Sequence, residues 1–413
     1  MNHYDDLEIR SVAERETAQF ETLKTMLDQV LETSPYYREA LKEFANLPKI
    51  DRVVLAQLPL TRKSDLLALQ RKILPFGGVT ELAPPNLLRI FSSPGPIYEP
   101  ETRQPDGWRF ARALYAAGVR SGDLLYNCFS YHFTPAGAMV ESGAFALNCA
   151  VFPAGTGQTE LQARTIADLR PQAYVGTPSF LKIILDKGEE LGLDLSSLSK
   201  GLVSGEYFSP AIRQDFAARG LVALQCYATA DLGLIAYESG DGDGMILDEG
   251  VIVEIVRPGT GDPVADGDVG EVVVTCLNPD YPLIRFATGD LSAILPGQSS
   301  CGRTNQRIKG WMGRADQSAK VRGLFVHPGQ IAALLKRHGA AIKGRLVVTR
   351  NTQELDDICL QVETELTDQP GFESVLAADF QNLTKLRTEV SLCQPGSLPN
   401  DGQVIDDQRS IDS

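Results

Sequence analysis

The chain has 413 residues, of which 43% are apolar, enough for a large core and for two or three domains rather than one. A net charge of −14 without a Lys/Arg block argues against a nucleic-acid or anionic-membrane surface and favours small substrates or an acidic-tolerant protein partner. No apolar run reaches the roughly 18 residues of a membrane span, and the N-terminal MNHYDDLEIR is unlike a signal sequence, so a cytoplasmic protein is expected.

The first predicted element is a helix over residues 10 to 33, with Leu23, Met26, Leu27, Val30 and Leu31 on one face and Ser34-Pro35 at its end. From about 107 to 235, short apolar runs (LLYNCF, NCAVFP, AYVGTP, GLVSGE, LVALQCY) alternate with helical stretches near 108–117, 160–169, 179–191 and 210–219. Alternation of this kind predicts an α/β fold with a parallel, doubly wound sheet, and ligands on such sheets sit at the carboxyl ends of the strands.

Near residue 245 the pattern becomes alternating apolar and polar around Pro-Gly and Asp-Gly turns, which predicts flanking antiparallel hairpins. A small α+β unit follows Gly313-Arg314, so the expected domains are 1–311 and 312–413. The final fifteen or so residues (PNDGQVIDDQRSIDS) read as a loose tail. The seven cysteines are odd in number and scattered through apolar runs, which points to buried free thiols rather than disulfides.

Segments spread over most of the chain, taken together, resemble the phenylacetate–coenzyme A ligases of the adenylate-forming superfamily. They are SPYYREAL (34–41), LPLTRKSDL (58–66), SYHFTPAG (130–137), VFPAGTGQTELQ (151–162), TPSFL (177–181), SGEYFSPAIR (204–213), YATADLG (227–233), GEVVVTCLNPDYPLIRFATGDL (270–291) and RIKGWMGRADQSAKVRGLFVHPGQI (307–331). Each string alone is weak; their order and spacing carry the resemblance. It implies two half-reactions. A carboxylate attacks ATP to give an acyl-adenylate, then the small C-terminal domain swings and a coenzyme A or phosphopantetheine thiol takes the acyl group.

Residue by residue, the resemblance places Asp290 of FATGD on the ribose hydroxyls, Gly205-Glu206 along the adenine pocket and Tyr227 against the base. A turn-capping role is the alternative for Asp290. Arg314 matches the arginine at the domain junction that reaches the nucleotide, Asp316 falls near the hinge, and Gly323 lies on the approach of the thiol.

The phosphate side departs from the family. Its pattern is close to SSGTTGKP, in which backbone N–H groups and a lysine surround phosphate. Here residues 91–100 read FSSPGPIYEP, with two prolines, no lysine and a shorter loop. In the aromatic motif Ala230 removes a hydroxyl, and Asp231 is a shorter carboxylate where the family's glutamate holds magnesium, which weakens binding of the metal. The family's lysine after an LP dipeptide has no counterpart in Leu398-Pro399-Asn400-Asp401-Gly402-Gln403. A lysine arriving from elsewhere, such as Lys309 or Lys320, would favour continued use of ATP. Three ligands of the zinc site found in some relatives are replaced by Ser239, Ile246 and Ser299, leaving Cys301, so no zinc or other resident metal is expected.

On the acyl side, Tyr131, Phe133 and Pro153 are expected to wall an aromatic or apolar acyl group, with His132 and Cys226 beside it as a base and a nucleophile, or as a pocket-shaping residue and a strand residue. The resulting expectation is a divergent acyl-activating enzyme acting through His132, Asp231 and Arg314, with adenylation impaired or altered. The alternatives are an ATP-independent acyltransferase between coenzyme A and a carrier-protein thiol, and a non-catalytic scaffold. An acyl carrier protein is the natural protein partner, and a homodimer fits the resemblance.

Overall fold

The structure, a computed structural model, describes residues 3–409 apart from 46, 241–243, 258–260, 313, 316–318, 327, 368 and 400–403. It has a mixed α/β fold, and the chain divides into two compact units, Met1–Trp311 and Met312–Ser413.

The larger unit opens with the helix Val12–Thr33, started by a capping box in which Ser11 and Glu14 satisfy each other's backbone N–H groups. Leu23, Met26, Leu27 and Val30 form its buried face and Leu31 is partly buried, as the helical spacing requires. Ser34 then caps the next helix, Pro35–Ala40.

Among the described residues the main sheet has nine strands. Ala150–Pro153, Leu124–Asn127, Ala173–Gly176, Lys200–Val203 and Val222–Thr229 run parallel in that spatial order. Gly233–Tyr237 and Met245–Leu247 extend it antiparallel. Met245 therefore continues the main sheet rather than opening a separate hairpin.

Helices cover both faces. Thr159–Leu169, Pro178–Glu190 and Pro210–Ala218 build one apolar layer, and Phe110–Ala116 with Ala136–Ala146 build the other. The helix Ala136–Ala146 has no amphipathic signature in sequence, because alanine and glycine let it pack closely on several sides. A Cβ on Gly143 would lie 2.6 Å from the backbone N of Ala111, so the crossing requires glycine there.

The second sheet holds Val251–Val256, Gly270–Cys276 and Phe286–Ser292 in antiparallel register. Its edge is the short strand Thr61–Arg62, which pairs parallel with Phe286 and Ala287. The LPLTRKSDL segment thus joins the strand that carries Asp290 and runs directly into the helix Lys63–Lys72.

The smaller unit is a four-stranded sheet in the order Glu389–Cys393, Asp356–Thr364, Ala341–Arg350 and Ile405–Asp407, with the helices Pro328–Arg337 and Phe372–Thr384. The expected loose tail is corrected in part. Ile405–Asp407 pairs parallel with Leu346–Val348, and Arg409 donates to Asp356 Oδ1 and to the carbonyl of Lys320. No described helix is long and apolar enough to cross a membrane.

Candidate active site

The parallel strands deliver their following loops to one end of the main sheet, as doubly wound topology dictates. After Lys200–Val203 the chain turns through Gly205, at φ +87°, so that Glu206 accepts the Ser179 hydroxyl at 2.7 Å. Ser179 sits in the first turn of a helix capped by Thr177. Gln225 donates to the Glu206 carbonyl at 2.9 Å, fixing the loop against the next strand.

Tyr227 lies on that strand, and its hydroxyl donates to Asp290 Oδ2 at 2.7 Å. The other carboxylate oxygen, Oδ1, accepts the Trp311 indole N–H at 3.0 Å. Asp290 is buried within the strand Phe286–Ser292, so a turn-capping role does not describe it. Gly205, Glu206, Tyr227 and Asp290 thereby form one wall across two sheets.

The phosphate-side segment is a tight antiparallel hairpin. Leu87–Ser93 and Ile97–Thr102 pair with Ser93 opposite Ile97, which leaves Pro94-Gly95-Pro96 as the tip. Two of its three residues have no N–H, so it forms no amide cradle. A lysine reaches the hairpin from another element. Lys63, the first residue of the helix Lys63–Lys72, places its ammonium 3.0 and 3.2 Å from the two oxygens of Asp231 and 3.3 Å from Ser93 Oγ. Ser93 donates onward to Glu99 Oε1 at 2.5 Å.

Burial first, and the neighbouring Asp231 second, push the Glu99 carboxyl well above the usual carboxylate range. Lys63 stands in the LPLTRKSDL string with no role legible there, and Glu99 carries no signal beyond being an acid between Tyr98 and Pro100. Lys309 is exposed, and Lys320 belongs to the smaller unit.

The acyl-side residues are only partly gathered. Tyr131 is half-buried and accepts the Asn127 side-chain amide at 2.8 Å; burial, with Glu141 next, pushes its phenol above the usual range. His132 is exposed, Phe133 is 80% exposed at φ +62°, and Pro153 ends the edge strand facing solvent. Phe133 and Pro153 therefore do not close an apolar wall in this structure.

Cys226 needs a larger correction. It is 2% exposed and packs in the core with Leu224, Leu234 and Tyr237, and burial pushes its thiol up to about 12. A thiol there is protonated and out of reach of a substrate, so core packing and not nucleophilic chemistry accounts for it.

Elsewhere in the same unit, Cys301 lies 3.0 Å from Ser299 Oγ. Burial alone would raise this thiol, but hydrogen bonds from Ser239, Ser299 and Arg303 outweigh it and bring the thiol below its ordinary value. Two of the substituted positions, Ser239 and Ser299, thus meet around Cys301, while Ile246 is buried. Hydroxyls are poor zinc ligands. Among the described residues no three His, Cys, Asp or Glu side chains are grouped to hold a metal ion.

In the smaller unit Arg314 is half-buried. Gly323 turns the hairpin between Ala319–Val321 and Leu324–Val326 at φ +82°. Asp316 lies outside the described residues.

A doubly wound sheet with a half-buried Tyr bonded to a buried Asp near its carboxyl end, followed by a small α+β unit, is the architecture of the adenylate-forming enzymes. The family model described as "AMP-binding enzyme" matches residues 108–276, which run from Trp108 through Tyr227 and Asp231. Among solved structures, 2-hydroxyisobutyryl-CoA ligase in complex with 2-HIB-AMP and CoA superposes with a TM-score of 0.86 at 24% identity, covering 99% of this chain and 93% of that one. The phenylacetate–coenzyme A ligase of Escherichia coli is 30% identical over 96% of this chain and 94% of its own length. That of Thermus thermophilus is 30% identical over 91% and 86%. The chain belongs to the phenylacetate–coenzyme A ligase family.

Proposed function

We propose that this protein is a divergent acid–thiol ligase. It activates an aromatic or apolar carboxylic acid with ATP and passes the acyl group to the thiol of coenzyme A or of a carrier-protein phosphopantetheine. The larger unit binds nucleotide and acid, and the smaller unit carries Arg314 and Gly323. In this reading Asp290 takes the ribose hydroxyls, Tyr227 the base and Lys63 the phosphates.

The observation that carries this reading is the Lys63 ammonium set between Asp231 and the Ser93 hairpin. A cation poised where charge develops on phosphate is what adenylation needs, and the residues of the hairpin tip do not supply one. Lys63 Nζ is the group that binds and orients the phosphates. Magnesium, when bound with ATP, supplies further charge neutralisation, and Asp231 is the carboxylate on that side. Because Lys63 already engages Asp231 and the hairpin tip has a single amide N–H, at Gly95, adenylation is slower than on a glycine-rich loop. An ATP-independent transfer through Cys226 is disfavoured by the burial of that thiol.

The test is calorimetric titration with ATP and magnesium, followed by mass-spectrometric detection of thioester from a panel of aryl and alkyl acids with coenzyme A. Binding of ATP with thioester formation supports the proposal. Binding of acyl-thioesters without any binding of ATP would replace it with thiol-to-thiol acyl transfer.

A further inference from the structure

The loop that follows the strand Leu124–Asn127 is fixed at two points. The Phe129 ring comes 3.9 Å from where a Cβ on Gly205 would stand, and the Phe133 carbonyl accepts the Ser92 N–H at 2.8 Å. Tyr131 lies between these anchors, on the stretch that joins the nucleotide wall to the phosphate-side hairpin. An acid attacking a phosphorus held between wall and hairpin must lie along this stretch.

The Tyr131 ring covers the first turn of the helix Ala136–Ala146, where a Cβ on Gly137 would come 2.9 Å from it. Asn127, fully buried, fixes the ring by donating to the phenol oxygen at 2.8 Å and to the Gly137 carbonyl at 2.9 Å. One turn on, at the position that shares a face with Gly137, stands Glu141, the one acid in a helix otherwise of apolar residues, glycine and serine. After burial, the charge of Glu141 is what most raises the Tyr131 phenol, which sets the two side by side.

Glu141 is 17% exposed and has no close cation: Arg89 Nη2 is 3.9 Å away, beyond hydrogen-bond reach, and Arg89 donates to Glu101 at 2.8 Å instead. A carboxylate offers about four acceptor sites, and the Tyr131 hydroxyl can fill no more than one of them. An acid so placed is costly to keep among apolar residues unless something donates to it. We propose that Glu141 selects the acid by accepting a hydrogen bond from a hydroxyl or amino group on the acyl portion, so that the substrate is a hydroxy- or amino-substituted acid rather than its plain hydrocarbon analogue. This inference narrows the ligase reading above and rests on it.

The test uses the full-length enzyme and pairs of ring-substituted phenylacetic and benzoic acids, each pair differing by a hydroxyl or amino group against a methyl at the same ring position. The readout is the ratio of kcat/KM within a pair. Wild type is expected to favour a donor-bearing acid about 10- to 100-fold over its methyl partner, because the methyl leaves the carboxylate unmet. Glu141→Gln should lower that ratio about tenfold, and Glu141→Leu should bring it within about threefold of unity. Preference for the hydroxyl or for the amino acid supports the proposal and identifies the donor.

A residue that only supports the fold would slow both members of a pair alike, so an unchanged ratio in the variants overturns the proposal. A wild type that does not distinguish the members of any pair overturns it as well. Should Glu141→Leu not fold, the isosteric Gln variant and the wild-type ratio decide. Should wild type form thioester from no acid, the ligase reading falls, and equilibrium binding of the same pairs to wild type and Glu141→Gln decides on Glu141. Tighter binding of the donor-bearing acid to wild type alone upholds its role, and equal binding, or none, overturns it.

Discussion

The Tyr227 hydroxyl and the Asp290 carboxylate lie 2.7 Å apart and join the last parallel strand of the main sheet to the inner antiparallel sheet of the larger unit. A ribose binding at Asp290 must share or displace this contact and the one from Trp311. Asp290→Ala is expected to weaken AMP binding about 10- to 100-fold, the value of one or two hydrogen bonds to a charged group. Tyr227→Phe should cost about 1 kcal/mol of stability while binding AMP nearly as well. Calorimetry with AMP and denaturant melts of the three proteins check this.

Lys63→Ala is expected to slow pyrophosphate exchange about 100- to 1000-fold, as removal of a preorganised charge contact does. It should leave transfer from a synthetic acyl-adenylate to coenzyme A within a few-fold of wild type. Equal loss in both half-reactions would show Lys63 to be structural.

Thiol reactivity should separate two cysteines. Cys301 is part-exposed with its thiol brought below the ordinary value, whereas Cys226 is buried with its thiol up to about 12. At pH 7 more thiolate is present at Cys301, so iodoacetamide followed by peptide mass mapping should label it well before Cys226. Cys226→Ala should retain thioester formation and lose only stability.

Asp106 caps the helix Phe110–Ala116 through the Ala111 N–H, and burial raises its carboxyl to about 7. The folded state therefore holds this proton more tightly than the unfolded chain. The associated stability is full below about pH 4 and is lost as pH rises through about 7. Asp106→Asn keeps the cap and has no proton to lose. Melting curves from pH 5 to 8 should show wild type losing on the order of 1–3 kcal/mol relative to the variant.

Arg409 is nearly buried in the smaller unit, with Asp356 and Asp407 as ionic partners. Arg409→Ala should destabilise that unit by about 1–2 kcal/mol, since it removes the ion pairs to the half-buried Asp356 and the exposed Asp407 and the bond to the Lys320 carbonyl. Limited proteolysis would then cut first within the segment 394–409.

The α/β architecture was legible because parallel strands and amphipathic helices have different apolar periods. The helix Ala136–Ala146 escaped because, apart from Glu141 and Ser142, its residues are apolar or glycine on every side, and the strand Ile405–Asp407 because three residues among acids carry no periodic signal. Of the candidate site, Gly205, Glu206, Tyr227 and Asp290 stand in short strings that the resemblance singles out, and the fold joins Tyr227 to Asp290 directly. Lys63 could not be given a role. Its partner Asp231 lies 168 positions away, and only the fold brings the two together. Cys226 misled because adjacency to Tyr227 along a strand places its side chain on the opposite face, toward the core.

The pairing of Thr61 with Phe286 spans 225 positions (286 − 61) and sets an order of events during synthesis. A contact of such sequence separation closes late, after the parallel sheet between its ends can already have collapsed. Until residue 286 has emerged from the ribosome, Thr61 has no strand to join, so the segment leading into the helix Lys63–Lys72 lacks that backbone support. A nascent chain shorter than that contains most of the large sheet but not the strand that pairs with Thr61, so the segment carrying Lys63 gains this support only when nearly three hundred residues are in hand.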